Sequence, residues 1–469
     1  LPPTLGARFM WEPPPRHSMG GQRQTISCML LLLLVSSFTS PLTSPVIIPS
    51  SHHSYTTDDD GNVTQENTTD NESAQWNWTA HAPVWNVGDQ WTYDVVLDAV
   101  AIVEETAELD GAELEFLYGT GVMTVQAIQE QEVDGVMTPV YQTYTSGNFV
   151  GQGRDFPAPV IGAVDGTLNV VFELTEWYRV SDLALTGYSK RLVFTFTPQV
   201  IIEGPDIEIT DFTENSDYDP PREFYDFPLA LNETWYEETN HSSNFTGGDG
   251  GLIEVPNGLE HSNEEWDFSV ARQVNSSWTG CENSTEVWMH DQAGDPEEWR
   301  WWCPAVRQYT HRWTDDIALG GVNASLVLIG YSPATPDEII EVEMQPDWSP
   351  LNAEVNVTIW VNDSAGQPIA SASGVVYHGS TMLAWSTDSN GTTHLILPVG
   401  NAMDNTPTEF DWGTHGIVAI MLSSQVVGID TLTLEGSAIG GLLRIKAMEI
   451  AAEASEVMAR LVQDFEPSV

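Results

Sequence analysis

The chain predicts a mainly β fold: tandem antiparallel curved-sheet units, then a β-sandwich, then a C-terminal amphipathic helix. Three observations carry this. From Trp85 onward, apolar and polar residues alternate in "QWTYDVV" (90–96), "GVMTVQAIQ" (121–129), "LNVVFEL" (168–174), "RLVFTF" (191–196) and "ASLVLIGY" (324–331). Period-two alternation with β-branched and aromatic enrichment is the signature of strands with one buried face. Gly, Pro, Asn and Asp fill the intervals, where tight turns need them. No helical stripe occurs until the last forty residues. There Ser437 offers an N-cap, and Ile439, Leu443, Ala447, Ile450, Ala454, Val457, Leu461 and Phe465 follow at three- and four-residue steps.

The first element is an address. Residues 26–38, "ISCMLLLLLVSSF", are apolar and follow Arg8, Arg16 and Arg23. Such a run is short of the ~20 residues that span a bilayer and suits the core of a secretory signal. Residues 1–37 are therefore expected to be a signal peptide, with Met19 as the start and the mature chain beginning near Phe38. No second apolar run of spanning length follows, so the mature chain is expected to have no transmembrane span and to lie at the cell surface or outside the cell. Sequons at Asn62, Asn67, Asn71, Asn77, Asn232, Asn240, Asn244, Asn275, Asn283, Asn323, Asn356, Asn362 and Asn390 agree, since each is a glycan acceptor only in an exported protein. Residues 38–81, rich in Ser, Thr, Asn and Asp, read as a disordered glycosylated stalk. Its "TTDDDGNVTQEN" has Gly61 at the turn of a calcium loop, but Asn67 stands where a bidentate Glu is needed.

Charge narrows the partners. The chain of 469 residues carries 68 Asp+Glu against 15 Lys+Arg, a net charge of −53, and its only lysines are Lys190 and Lys446. Such a surface repels nucleic acid and anionic lipid, attracts cations, and is soluble where salt screens its self-repulsion.

Two β units follow, over 82–205 and 206–335. "VWNVGDQWTYDV" (84–95) recurs in outline as "FPLALNETWYEE" (227–238), matching Trp91 to Trp235. "EWYRVSDLAL" (176–185) recurs as "RWWCPAVRQY" (300–309), matching Trp177–Tyr178 to Trp301–Trp302. The acidic "TENSDYDPPREF" (213–224) separates the copies. Residues 82–335 resemble exported β-rich surface proteins whose "FPL-VG-x-x-W … W-Y-x-P-x-V" pattern accompanies a curved sheet, a shape shared with lipoprotein-carrier-type clamshells. The resemblance implies a carrier of an apolar ligand. The sandwich is expected over 345–430. Within it, "VNVTIWVNDSAGQPIASASGVVYHGSTMLAWSTDSNGTTHLILPVG" (355–400) resembles carboxypeptidase-regulatory-like modules of transthyretin-like or immunoglobulin-like form. Gly374 departs from their pattern, which has Val at that place. This resemblance implies a spacer or adhesion unit without catalytic residues. The helix, 435–469, is expected to pack on the preceding strands, with self-association as the sharper alternative.

No catalytic motif is found: no HExxH, G-x-S-x-G, P-loop or dinucleotide fingerprint. A secreted carboxylate-dependent hydrolase, supported by calcium, stands as the alternative to a binding or structural role. Asp217 and Asp219 in "SDYDPP" and Asp249 in "GGDGG" are the calcium candidates, read as turn residues. Once the signal is removed, Cys281 and Cys303 are the remaining thiols, and an exported chain pairs them. The turn "DQAGDP" (291–296) places them on facing arms of a hairpin. The second arm, "EEWRWWCPAV" (297–306), is the strongest site candidate. Alternation puts Trp299, Trp301 and Cys303 on one face and Arg300 and Trp302 on the other. Arg300 and Pro304 mark the Trp302 side as wetter, so Trp299 and Trp301 are expected in the core. The alternative is an open platform of Trp299, Trp301 and Trp302 for a glycan or apolar ligand, or for another surface protein.

Overall fold

The structure, a computed structural model, describes residues 56–57, 63–64, 82–98, 109, 111–133, 135–158, 162–199, 206–248, 257–314, 323–350, 353–399 and 413–435. The expected signal peptide, the helix beyond residue 435, Asp249 and the sequons at Asn62, Asn67, Asn71 and Asn77 lie outside these residues. The chain divides into units 1–69 and 70–469. In the first, β1 (Thr56–Thr57) pairs antiparallel with β2 (Val63–Thr64).

The second unit begins with β3 (Gln90–Asp98), β4 (Glu113–Leu114), β5 (Leu117–Val133), β6 (Val136–Ala158), β7 (Gly162–Arg179), β8 (Leu185–Pro198) and β9 (Ile207–Arg222). It continues with β10 (Thr234–Gly247), β11 (Gly258–Val274), β12 (Ser284–His290), β13 (Pro296–Cys303), β14 (Gln308–Thr314) and β15 (Asn323–Ser332). All but β4 pair antiparallel with their chain neighbours, and β15 pairs back onto β3. The two sequence units thus contribute strands to one closed twelve-strand ring, with the short β4 added beside β6. Closure satisfies every edge that an open sheet of this length would expose.

Alternation decides the two surfaces of the ring. Trp91, Tyr93, Val95 and Leu97 of β3 point inward and are buried, while Asp94 is exposed. On β9 and β10 the exposed positions include Glu208, Asp217, Asp219, Glu238, Asn240 and Asn244. The exterior of these two strands is therefore strongly polar. No α-helix occurs among the described residues.

The internal repeat has a hydrogen-bonded counterpart. In the turn before β3, the Asn86 amide donates to Asp89 Oδ2 at 2.9 Å, and the Asp89 amide to the Asn86 carbonyl at 2.9 Å. Before β10, the Ala230 amide donates to Glu233 Oε2 at 2.8 Å, and the Glu233 amide to the Ala230 carbonyl at 3.1 Å. Gly88 (φ 96) and Asn232 (φ 64) take the same left-handed place in these turns, a conformation open mainly to Gly and Asn. The second match holds too: Leu183 (φ 63) and Arg307 (φ 57) follow β7 and β13 at equivalent positions. These turns divide the ring into β3 with β5 to β9 and β10 to β15, so β9 (Ile207–Arg222), expected in the 206–335 unit, falls in the first half.

Beyond the barrel come β16 (Glu338–Gln345), β17 (Trp348–Pro350), β18 (Ala353–Asp363), β19 (Ser373–His378), β20 (Thr381–Ser386), β21 (Thr392–Val399), β22 (Gly413–Met421) and β23 (Val426–Glu435). They form a three-stranded sheet, β16-β18-β21, and a five-stranded sheet, β17-β23-β22-β19-β20. Val357, Ile359, Val361, Leu397, Ile417 and Leu432 from both sheets share one buried core. Gly374 fits here for a steric reason: a Cβ would sit 2.0 Å from the Ile420 carbonyl oxygen and 2.6 Å from the Trp385 ring. A valine at that place would force β19 and β22 apart.

Cys281 and Cys303 are bonded, with Cα atoms 5.5 Å apart. The hairpin turn is organised by Asp291, whose Oδ1 accepts from the amides of Ala293 (2.9 Å) and Asp295 (2.8 Å). Thr285 lies opposite Trp302, so Cys281 is joined from the loop just before β12. With the cysteines 22 positions apart, reduction is expected to cost about 3 kcal/mol by loop entropy. Urea unfolding with and without reductant measures it, and equal midpoints would remove the staple from the account.

Candidate functional site

The tryptophan strand β13 has its faces the other way round from the sequence expectation. Trp302 is 2% exposed and packs on Tyr225 (4.7 Å between centroids) and Phe227 (5.3 Å) inside the barrel. Trp299 and Trp301 are half-buried on the outer wall. The alternation was read correctly, but Arg300 did not mark the solvent side. It is buried because Glu298, two residues earlier on the same face, pairs with it.

On the outer wall the register builds two rows across three strands. Trp288 of β12, Trp299 of β13 and Trp313 of β14 lie directly opposite one another, and beside them run Glu286, Trp301 and His311. Ring centroids are 6.3 Å apart for Trp288–Trp299, 5.6 Å for Trp299–Trp301 and 4.2 Å for Trp301–His311. Trp301 is oriented by its Nε1, which donates to Glu286 Oε1 at 2.9 Å, and Arg272 Nε holds Glu286 Oε2 at 2.7 Å. Burial lowers the His311 pKa to about 4, so the row is neutral there at neutral pH. None of the four tryptophans is fully covered. The result is a row of aromatic faces on a strongly acidic surface, with a carboxylate at its edge.

Inside, the lumen is charged. Lys190 Nζ lies 2.5 Å from Glu214 Oε2. Glu298 pairs with Arg300, and its Oε2 accepts from Arg312 Nη2 at 2.9 Å. Burial works to raise the Glu298 pKa, but Arg300 and Arg312 prevail and hold it at about 2. His241 Nδ1 lies 2.7 Å from Glu264 Oε1, and the ring stacks on Tyr218 at 4.6 Å. A bulge in β14, where Trp301 opposes His311 but Trp302 opposes Tyr309, lets Tyr309 and Arg312 share the inner face. A cavity of about 230 Å³ lies among these groups. The sequence held a sign of them: Lys190 has the parity of Leu192, Phe194 and Phe196, and Arg300 that of Trp302. Each reads singly as a surface charge.

A second cavity, of about 360 Å³, lies between the barrel and the two-sheet body, lined by Arg179, Asp182, Glu223, Asp226, His378 and His415 among others. Burial raises the carboxyls of Glu223 and Asp226 and lifts that of neighbouring Glu237 to about 8. Burial lowers His378 to about 4.

The remaining candidates are scattered. Asp217 and Asp219 are exposed on the outer face of β9, within a strand and not in a turn. Among the described residues no group of three or more His, Cys, Asp or Glu could hold a metal ion. Asn232, Asn240, Asn244, Asn275, Asn283, Asn356 and Asn390 are exposed and Asn362 is half-buried. Asn323 is likewise half-buried, with its Oδ1 buried and without a hydrogen-bond partner.

No family model matches the sequence, and no curated protein matches it. A solved structure described as "Ca2+-stabilized adhesin helps an Antarctic bacterium reach out and bind ice" is similar at 10% identity, covering 72% of this chain and 99% of that one. Its TM-score of 0.15 carries no argument about fold or function.

Proposed function

We propose that the protein is exported and acts at the cell surface or in its surroundings as a non-catalytic binding protein, with the outer tryptophan rows as its contact for neutral glycans. The observation that carries this is the cross-strand series Trp288–Trp299–Trp313 with Trp301 beside it, half-open on a rigid barrel wall. Aromatic faces on a fixed sheet offer large contact area at little entropic cost, and sugar rings present an apolar C–H face to stack on them. Buried Glu286, tied to Arg272, fixes the Trp301 ring from behind. The net charge of −53 selects against anionic polysaccharides. The apolar run at 26–38 and the exposed sequons support export, and the two-sheet body is read as a spacer.

Calorimetry with neutral hexasaccharides of glucose and mannose, and with an anionic uronate hexamer, tests this. A neutral probe should bind and the anionic one should not. Trp299→Ala or Trp301→Ala should weaken binding by roughly tenfold or more, about 1.4 kcal/mol, while melting stays cooperative. Unchanged affinity in both variants would remove the rows from the function. A carboxylate-dependent hydrolase is the second reading, supported by the raised Glu223 and Asp226 in the larger cavity. New reducing ends in the same incubations, lost in Glu223→Gln, would favour it.

A further inference from the structure

The nine Lys and Arg side chains among the described residues are unevenly placed. Lys190, Arg222, Arg300 and Arg312 all reach the interior of one barrel, on a chain whose net charge is −53. Three of the four have a carboxylate: Lys190 has Glu214, and Arg300 and Arg312 share Glu298. Arg222 does not. Its guanidinium lies 4.8 Å over the ring of Tyr218, and no carboxylate among the described residues comes within ion-pair distance. Of the acids that act on it, Glu264 and Glu298 are already engaged, and Glu176, which also lines the cavity, has its pKa raised by burial. Glu264 is held by His241 at 2.7 Å and accepts from Trp266 Nε1 at 3.4 Å, while Glu298 serves two arginines.

Arg222 is half-buried with no carboxylate in direct contact, and it cannot escape by losing its proton. Arg222 lines the cavity of about 230 Å³, so its donors are offered to whatever fills that space. The cavity is not polar throughout. Phe172, Leu174, Met289 and Leu326 also line it. Its volume falls below the ~300–1,000 Å³ typical of drug-sized ligands, so an occupant is small.

We infer that the barrel cavity binds a small organic carboxylate with an apolar body, its acid group held by the Arg222 fork and its body against the Phe172–Met289–Leu326 wall. The planar fork suits a carboxylate bidentately, and a free phosphate would satisfy the same donors while leaving the apolar wall unused. The pocket lies inside the wall whose outer surface carries the tryptophan rows, and either can be lost without the other.

Isothermal titration of the full chain with benzoate, 4-methylvalerate, benzamide and inorganic phosphate tests the assignment. At least one of the two carboxylates should bind, and benzamide and phosphate should bind much more weakly. Arg222→Gln should weaken the carboxylate by roughly 10–100-fold, as expected for loss of a charge-assisted hydrogen-bonded pair. Arg222→Lys should retain part of the affinity, because it keeps the charge and loses the fork. Removing a half-buried charge that has no ion pair should not lower the melting temperature, so Arg222→Gln is expected to fold. Saturating carboxylate should raise the melting temperature of the wild type and leave that of Arg222→Gln unchanged. Failure of both carboxylates to bind at millimolar concentration, equal binding of phosphate, or undiminished binding by Arg222→Gln would each overturn the proposal.

Discussion

Trp302→Ala should be among the most damaging single substitutions in the barrel, costing about 3–5 kcal/mol. The ring is 2% exposed and packs on Tyr225 and Phe227, residues of the segment that connects β9 to β10. Truncation leaves a cavity that an aromatic cluster on a closed ring cannot collapse to fill. Trp299→Ala, on the half-open outer wall, should cost about 1 kcal/mol or less, because little of its contact is with the core. Urea midpoints for the two variants measure the order. Equal losses, or a larger loss for Trp299→Ala, would mean that the outer rows are covered and are not a platform.

Loss of Glu298 should be of similar size for an electrostatic reason. The carboxylate is 3% exposed and neutralises both Arg300 and Arg312, so Glu298→Gln leaves two guanidinium groups without a carboxylate in ion-pair contact. Breaking such a pair from one side costs about 3–5 kcal/mol. The same group gives the stability a pH signature. Its folded pKa of about 2 lies below the 4.5 of an ordinary glutamate, so its contribution is complete above pH 4.5 and is lost as pH falls toward 2. The difference corresponds to about 3 kcal/mol. Unfolding free energies measured across that window should fall more steeply in wild type than in Glu298→Gln. Parallel curves would show that Glu298 does not titrate as a member of the triad.

The parts of this molecule that could be read from the sequence are those set by local rules. The hairpin of Ser284 to Cys303 follows from two thiols and one Asp-Gly-Pro turn, and the alternation in "QWTYDVV" follows from one strand's burial. The repeat was legible because Asn86–Asp89 and Ala230–Glu233 are local turns with local hydrogen bonds. Ring closure was not legible, since it depends on Trp91 meeting Tyr331 across the whole barrel. The sequence expectation inverts the faces of β13 because a charged residue is no sure sign of water. Arg300 lies on the phenyl ring of Phe224, 3.6 Å from its centroid, and its charge is met by Glu298. Where a closed barrel encloses its own counterions, the sign of a side chain says little about which way it points. Trp288 and Trp313 were overlooked for a related reason: only register, set by pairing to Trp299, brings them into a row.

The β3–β15 seam has a consequence for biosynthesis. Gln90 pairs with Ser332, so the first barrel strand waits for the last before its outer edge has a partner. At about 5–20 residues per second, that interval lasts ~10–50 s. Throughout it, the nascent sheet presents two long unsatisfied margins, each a template for a neighbouring chain. The six-strand halves can each form their own hairpins early, but neither can seal itself. A ribosome stalled before Asn323 would therefore release a sticky half-cylinder, and passage of the chain in an unfolded state until the seam can form is the safer route to this architecture.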